Sequence, residues 1–256
     1  MPLLAAWNLA RGLSSYEKHT QIEQGLESLD ADIMILGEAI DNTGKIRNQQ
    51  YAQQLGYDST TLPYNDLKAH PSGEQYLTLL SRVALDEVVP VYLGSRNAVK
   101  VTLVDPSGLE TLDIYGAHFD DRSEAARLGM AYAFLSLIEP GARTVLAGDL
   151  NAMPANNKIA RVLRSRPIRT AAALVPHART KSLTTRLTDM ATGDVMTLLE
   201  TSGFQDADTR NQPTMKTAVL RVMLDHIMHT PNVTISNFEN YDIAGSDHCA
   251  IAAQID

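Results

Sequence analysis

The strongest constraint on the fold is a recurring pattern of short apolar runs that each stop on a polar residue. LLAAW stops on Asn8, DIMILG on Glu38, LDIYGA on His118 and RTVLAG on Asp149, with Asn151 two residues further on. Asp225 sits inside VLRVMLDHIM, and Asp247 and His248 stand just before the run AIAAQI. Runs this short and this apolar read as strands buried on both faces. Strands of that kind need a covering layer on each side. Where such strands end on one edge of a sheet, the residues that follow them meet in space.

The intervening segments fit this reading. Ser14-x-x-Glu17 is a possible capping box, and Ile22, Leu26 and Leu29 then recur at helical spacing. Asp32 to Gly37, Tyr76 to Val83, Ala98 to Val104 and Leu112 to Ala117 are predicted strands, the last after a turn signal at Asp105-Pro106-Ser107-Gly108. Ser123 is a predicted cap for a helix running to Ile138, stopped by Pro140-Gly141. Thr144 to Ala147 reads as a buried strand. Helices follow around Asn157 to Arg164 and Asp194 to Thr201, the second closed by Gly203. Val219 to Met228, Asn232 to Phe238 and Ala250 to Ile255 are the remaining predicted strands. They come both as hairpins and with helical crossovers, which predicts a mixed sheet, or two packed sheets with helices outside. With no repeat and no Pro/Gly-rich linker, residues 1–256 read as a single domain.

Composition narrows the function. The formal net charge of −8 argues against a chain that coats nucleic acid through a broad basic face, though not against local grip on a few phosphates. Cys249 is the only cysteine, which excludes an intramolecular disulfide and any multi-cysteine metal site. The N-terminus has no basic segment ahead of an apolar one, and no apolar run approaches the roughly 18 residues that span a bilayer. The expectation is a cytoplasmic protein with no membrane anchor. The signatures GxxxxGK[ST], HExxH, GxGxxG and GxSxG are all absent, which argues against the chemistries they serve.

Several carboxylates converging at strand ends would repel one another without a cation. A hard divalent ion held by carboxylate and amide oxygens resolves this, and Mg²⁺ is the natural candidate. Taken singly, each residue has a plainer reading: Asn8 as a turn or cap, Glu38 as a solvated strand end, His118 as a structural histidine, Asp149 and Asn151 as a turn, and Asp247-His248 as a loop. Asp225 is the hardest to explain so, because an unpaired buried carboxylate is costly. His226 faces away from Asp225 on a strand and is given no role.

Together, AAWNLARG, DADIMILGEA, LTLLSRVAL, LDIYGAHFDD, TVLAGDLNAMP, RVMLDHIMHT and GSDHCAIAAQI span residues 5 to 254. In content and order they resemble the endonuclease/exonuclease/phosphatase family of metal-dependent phosphoesterases. The resemblance implies an α/β four-layered sandwich of two packed mixed β-sheets flanked by helices. It implies Mg²⁺ as cofactor, with Mn²⁺ able to substitute. It makes Glu38 the main metal ligand, with Asn8 and Asp247 beside it orienting metal-bound water or phosphate. It puts His118 on the scissile phosphate, Asp149 on the attacking water and Asn151 on the phosphoryl oxygens. It pairs His248 with Asp225, and it likens Arg127 to a helix arginine near the phosphate in some members. The chain departs from the family at Gly37, where many members carry Gln, and at Ala10, where some nucleases carry an acid. No aromatic stands in residues 220–224, where members that clamp damaged nucleotides often place Trp, and Trp7 reads as core.

The leading expectation is a Mg²⁺-dependent hydrolase of phosphodiester bonds, with DNA or RNA as substrate. A small phosphoester, an inositol phosphate or a lipid headgroup is the alternative. A non-catalytic binding module on the same fold is a third reading. Specificity is expected in the loops Asp41 to Arg47, Tyr64 to Glu74 and Pro176 to Asp194. Arg179, Lys181 and Arg186, with Arg166 and Arg169 upstream, are either a local phosphate grip or a solvated loop.

Overall fold

A computed structural model of the chain describes residues 1–10, 16–39, 52–63, 76–104, 110–165, 185–216 and 221–256. The possible cap at Ser14, the turn at Asp105 to Gly108 and the loops Asp41 to Arg47 and Tyr64 to Glu74 lie outside these residues, as does the third loop before residue 185.

Two six-stranded mixed sheets form the centre. The first runs β13 (Ile235–Tyr241), β14 (Ala250–Ile255), β1 (Leu3–Asn8), β2 (Ile33–Gly37), β4 (Tyr76–Ser81), β3 (Asp58–Pro63). The second runs β5 (Glu87–Tyr92), β6 (Asn97–Val104), β7 (Thr111–His118), β8 (Thr144–Asp149), β12 (Asp225–His229), β9 (Gln205–Asp206). A short ribbon of β10 (Met215–Lys216) and β11 (Arg221–Val222) stands apart. Each large sheet has one parallel pair joined by a helix. β1 and β2 are joined through α1 (Tyr16–Leu29), and β7 and β8 through α2 (Glu124–Leu135).

Side-chain alternation makes the layers. One face of each sheet enters the inter-sheet core, where Leu4, Ala6, Ile33 and Ile35 meet Val99, Ile114, Val145 and Ile227. The opposite face of the first sheet, with Ala5, Trp7, Met34 and Leu36, packs on Ile22, Leu26 and Leu29 of α1. The opposite face of the second, with Tyr115, Leu146 and Met228, packs on Met130 and Phe134 of α2 and on Val195, Met196 and Leu199 of α4 (Asp194–Thr201). This is the expected four-layered sandwich. Gly116 lets the sheets close, since a Cβ there would stand 2.9 Å from Ile35 and Val99.

Element ends follow local chemistry. Ser123 caps α2 by accepting from the Ala126 N–H, and Asn157 caps α3 (Lys158–Leu163) by accepting from Ile159 and Ala160. α2 stops three residues before the expected Ile138. The expected strand over Val219 to Met228 is two strands in different sheets, broken at Met223-Leu224, with 217–220 outside the described residues. Thr214 makes the break: its buried hydroxyl accepts from the Leu224 and Asp225 N–H groups at 2.9 and 3.0 Å. β13 begins at Ile235, not Asn232. β3 and β5 lie outside the predicted strands; β5 carries Pro90 on an edge, where a missing N–H is tolerated. Among the described residues no helix is long and apolar enough to cross a membrane.

Candidate active site

The topology explains the convergence. β1 and β2 are parallel and finish in register, Asn8 beside Gly37, with Glu38 next. β7 and β8 do the same, His118 beside Asp149. The antiparallel neighbours begin where these strands end: Asp225 opens β12 opposite Asp149, and Asp247 and His248 precede β14 alongside β1. These seven residues, with Asn151 two positions beyond the end of β8, therefore lie at one edge of the sandwich, drawn from both sheets.

Asn8, Glu38, Asp149, Asn151, Asp247 and His248 line a common cavity of about 300 Å³. Its remaining wall includes Asp121, Arg186, Leu187, Met190, Met215 and Leu224. His118 and Asp225 are buried behind Asp149 and His248. Backbone shape aims the loops: Glu38 and Asn151 adopt left-handed φ of 50°, a conformation non-glycine residues hold only when their surroundings impose it. Gly148 has a φ of 136°, and a Cβ there would lie 2.0 Å from the Ala117 carbonyl oxygen. Only glycine lets Asp149 follow β8 in this course.

Asp149 is the hub. Its Oδ2 accepts from Asn8 Nδ2 at 2.8 Å, across the two sheets, and its Oδ1 accepts from the Asn151 N–H at 2.8 Å. His118 Nε2 and His248 Nε2 stand 3.7 and 4.0 Å from the same Oδ2. Burial and the neighbouring Asp225 charge raise the Asp149 carboxyl above the ordinary range, and His248, Asn8 and Asn151 only partly offset them. His248 Nδ1 donates to Asp225 Oδ2 at 2.7 Å. Burial disfavours the His248 charge, but Asp225, Asp149 and Asp247 outweigh it and hold the imidazole up at about 10. His118 goes the other way: burial, Arg96 and His248 push it well below the usual value, so it is a neutral imidazole. The site thus pairs one charged and one neutral histidine against one carboxylate.

A hard divalent cation fits the donor set. Glu38 and Asp247 present carboxylates to the cavity, and Asn8 Oδ1, which accepts from the Ala10 N–H, keeps a second lone pair. Asp149, Asp225 and His248 also bring ligand atoms within 4.8 Å of one another, and Asp225 Oδ1 is buried without a hydrogen bond among the described residues. A protonated His248 engaged by Asp225 is a poor ligand, and Asn8, Glu38 and Asp247 are the other cavity residues that could hold a cation.

Arg127 is not in the cavity. Its fully buried guanidinium donates to Glu124 Oε2 at 2.9 Å and to the Asp120 carbonyl at 2.9 Å, while Glu124 Oε1 accepts from the Thr192 hydroxyl. It buckles α2 to the start of α4, and the expected phosphate contact is corrected to a structural one. Five residues of the surroundings were not anticipated: Thr214, Arg96, Asp121 and the pair His226–Asp206. Arg96 donates to the Phe119 carbonyl at 3.0 Å and holds Asp121 at 2.5 Å, and Asn151 Nδ2 donates to the same carbonyl at 3.0 Å. His226 donates through Nδ1 to Asp206 at 2.7 Å and through Nε2 to the Ala152 carbonyl at 2.8 Å. An arginine ahead of a strand or a histidine after an aspartate carries no local signal of these distant partners.

A two-sheet sandwich with this acid, amide and histidine cluster at one edge defines a phosphoester hydrolase of the metal-dependent class. The chain belongs to the endonuclease/exonuclease/phosphatase family, whose family model matches residues 5–248. No curated protein matches it. Solved structures share the fold at low identity. An endonuclease/exonuclease/phosphatase family protein from Leptotrichia buccalis has a TM-score of 0.70 at 11% identity, covering 100% of both chains. The 3′ phosphatase NExo from Neisseria, bound to a product DNA hairpin, has 0.66 at 14%, again covering 100% of both. An AP endonuclease from Archaeoglobus fulgidus has 0.65 at 14%, also over 100% of each.

Proposed function

We propose that the chain hydrolyses phosphodiester bonds with Mg²⁺, for which Mn²⁺ can substitute, and that its substrate is nucleic acid. The observation that carries this reading is Asp149, held by Asn8 and Asn151 between a charged and a neutral histidine, on a cavity that Glu38 and Asp247 also line. That the NExo structure holds a DNA product supports nucleic acid.

Phosphoryl transfer needs charge neutralisation and an aligned nucleophile more than covalent chemistry. A divalent cation on Glu38, Asn8 and Asp247 would neutralise the phosphate and the departing oxygen. Asp149 orients the attacking water and takes its proton, a task suited to a carboxylate of raised basicity. The new P–O bond forms in line as the bond to the leaving oxygen breaks. His248 donates from Nε2 to a non-bridging oxygen, its ring fixed by Asp225. The Asn151 amide contributes a neutral donor to the phosphoryl oxygens, and His118, buried behind Asp149, faces that carboxylate from within the fold.

A second reading, a small phosphoester, is favoured by the cavity wall. It carries no aromatic side chain on which a base could stack, among the described residues. A panel of single-stranded, duplex and nicked DNA, RNA and bis(p-nitrophenyl) phosphate, each with Mg²⁺, Mn²⁺ or chelator, separates the two. Cleavage of a polynucleotide supports the first reading. Turnover of the small ester alone supports the second.

A further inference from the structure

One charged group of the cavity wall has no part in the reaction just described: Arg186, held near Asp121. Asp121 there faces two arginines. Arg96 is buried, fixed by the Phe119 carbonyl, and binds Asp121 Oδ1 at 2.5 Å. Arg186 reaches Asp121 Oδ2 only at 3.4 Å and is partly exposed. Charge-assisted contacts normally close to about 2.7–2.9 Å, so Arg96 satisfies Asp121 and Arg186 is loosely tied. The trio carries one positive charge in excess. Among the described residues Arg186 is the one guanidinium on a wall otherwise charged by Glu38, Asp121, Asp149, Asp247 and His248. The helical segment 185–190 that bears it also gives the wall Leu187 and Met190, which belong to one apolar cluster with Met215 and Leu224. A wall that joins the groups facing the scissile phosphate, an apolar cluster and a guanidinium suits a ligand made of phosphate, organic group and second anion.

We infer that Arg186 forms a subsite for a second phosphate on the substrate, one sugar or nucleoside away from the scissile one. This rests on the phosphodiesterase reading and names its substrate class: esters that carry a neighbouring phosphate are preferred over isolated diesters. Asp121 parks the guanidinium when the subsite is empty and releases it to a phosphate, which a planar donor fork grips through two hydrogen bonds.

The test uses thymidylyl-thymidine with and without a 5′-terminal phosphate, in Mg²⁺. The wild-type chain is expected to favour the phosphorylated form by about ten-fold in kcat/KM, the worth of one hydrogen-bonded charge pair near a surface. In Arg186→Ala that ratio falls to about one, through KM, and Arg186→Lys keeps part of it. Binding of both compounds to the Asp149→Asn protein, where turnover is suppressed, reads the subsite without the reaction, and the same ratio is expected in Kd. A ratio near one in the wild type, or one that survives Arg186→Ala, overturns the subsite. A ratio in Kd that depends on Arg186, with neither compound cleaved by the wild type, upholds the subsite and overturns the phosphodiesterase reading instead.

Discussion

His226 is buried completely, yet both ring nitrogens meet acceptors: the Asp206 carboxylate at 2.7 Å and the Ala152 carbonyl at 2.8 Å. A neutral ring can donate from only one nitrogen, so the geometry demands an imidazolium. Burial opposes that charge, and Asp206, by charge and hydrogen bond, overcomes it to raise the pKa above the ordinary value. Asp206→Asn is nearly isosteric and removes the compensating charge. Breaking a buried pair by taking one partner costs about 3–5 kcal/mol. The sign of the pH dependence follows from the raised pKa. The stabilisation is fully present below the unfolded value of about 6.5 and is lost as pH rises through the higher folded value. The deficit of Asp206→Asn against wild type, from urea unfolding, is therefore largest near pH 6. It shrinks by up to about 1.4 kcal/mol per pH unit above 6.5. Because the Ala152 carbonyl follows Asn151 directly, the variant also lowers kcat at pH 6. A deficit under about 1 kcal/mol at pH 6, below the range for a broken buried pair, would refute the reasoning. So would a deficit equal at pH 6 and pH 9.

Asp225→Asn removes the charge that holds His248 protonated, and kcat for a phosphodiester is expected to fall by about 10²- to 10³-fold in steady-state assays while the circular dichroism spectrum is retained. Gly148→Ala meets the Ala117 carbonyl and a disfavoured φ; a cost of about 2 kcal/mol or more lowers the melting temperature by about 5 °C or more. Arg127→Ala leaves Glu124 without its buried cation. It lowers stability by about 3 kcal/mol in urea unfolding without changing KM, whereas a phosphate contact would do the reverse.

The layers were legible because the strands that build them are apolar on both faces. β14 spans Ala250 to Ile255 and α4 spans Asp194 to Thr201, as the apolar run and the Gly203 stop indicate. The site was legible for a related reason. Asn8, Glu38, His118, Asp149, Asp225 and His248 interrupt or end apolar strands, where a polar group must find partners, and the sheet order brings those ends together. What escaped was decided by partners far away in the chain. Nothing near Arg127 announces Thr192, reached through Glu124 across 68 residues. Nothing near His226 announces Ala152, 74 residues back. The split of the expected Val219 to Met228 strand depends on Thr214, whose hydroxyl takes the two N–H groups a continuous ladder would have used. β5 contains Pro90, which a strand tolerates only on an edge, and edge position is a property of the assembled sheet.

The central claim is that Asp149, beside a cation held by Glu38, Asn8 and Asp247, drives phosphodiester hydrolysis. It is tested most directly by bis(p-nitrophenyl) phosphate turnover in a Mg²⁺ titration, with wild type and Asp149→Ala side by side. The rate is expected to rise with Mg²⁺, to vanish with chelator, and to fall by about 10²- to 10⁴-fold in Asp149→Ala, the usual worth of a positioned base. Turnover that persists in chelator, or that Asp149→Ala leaves intact, would contradict it.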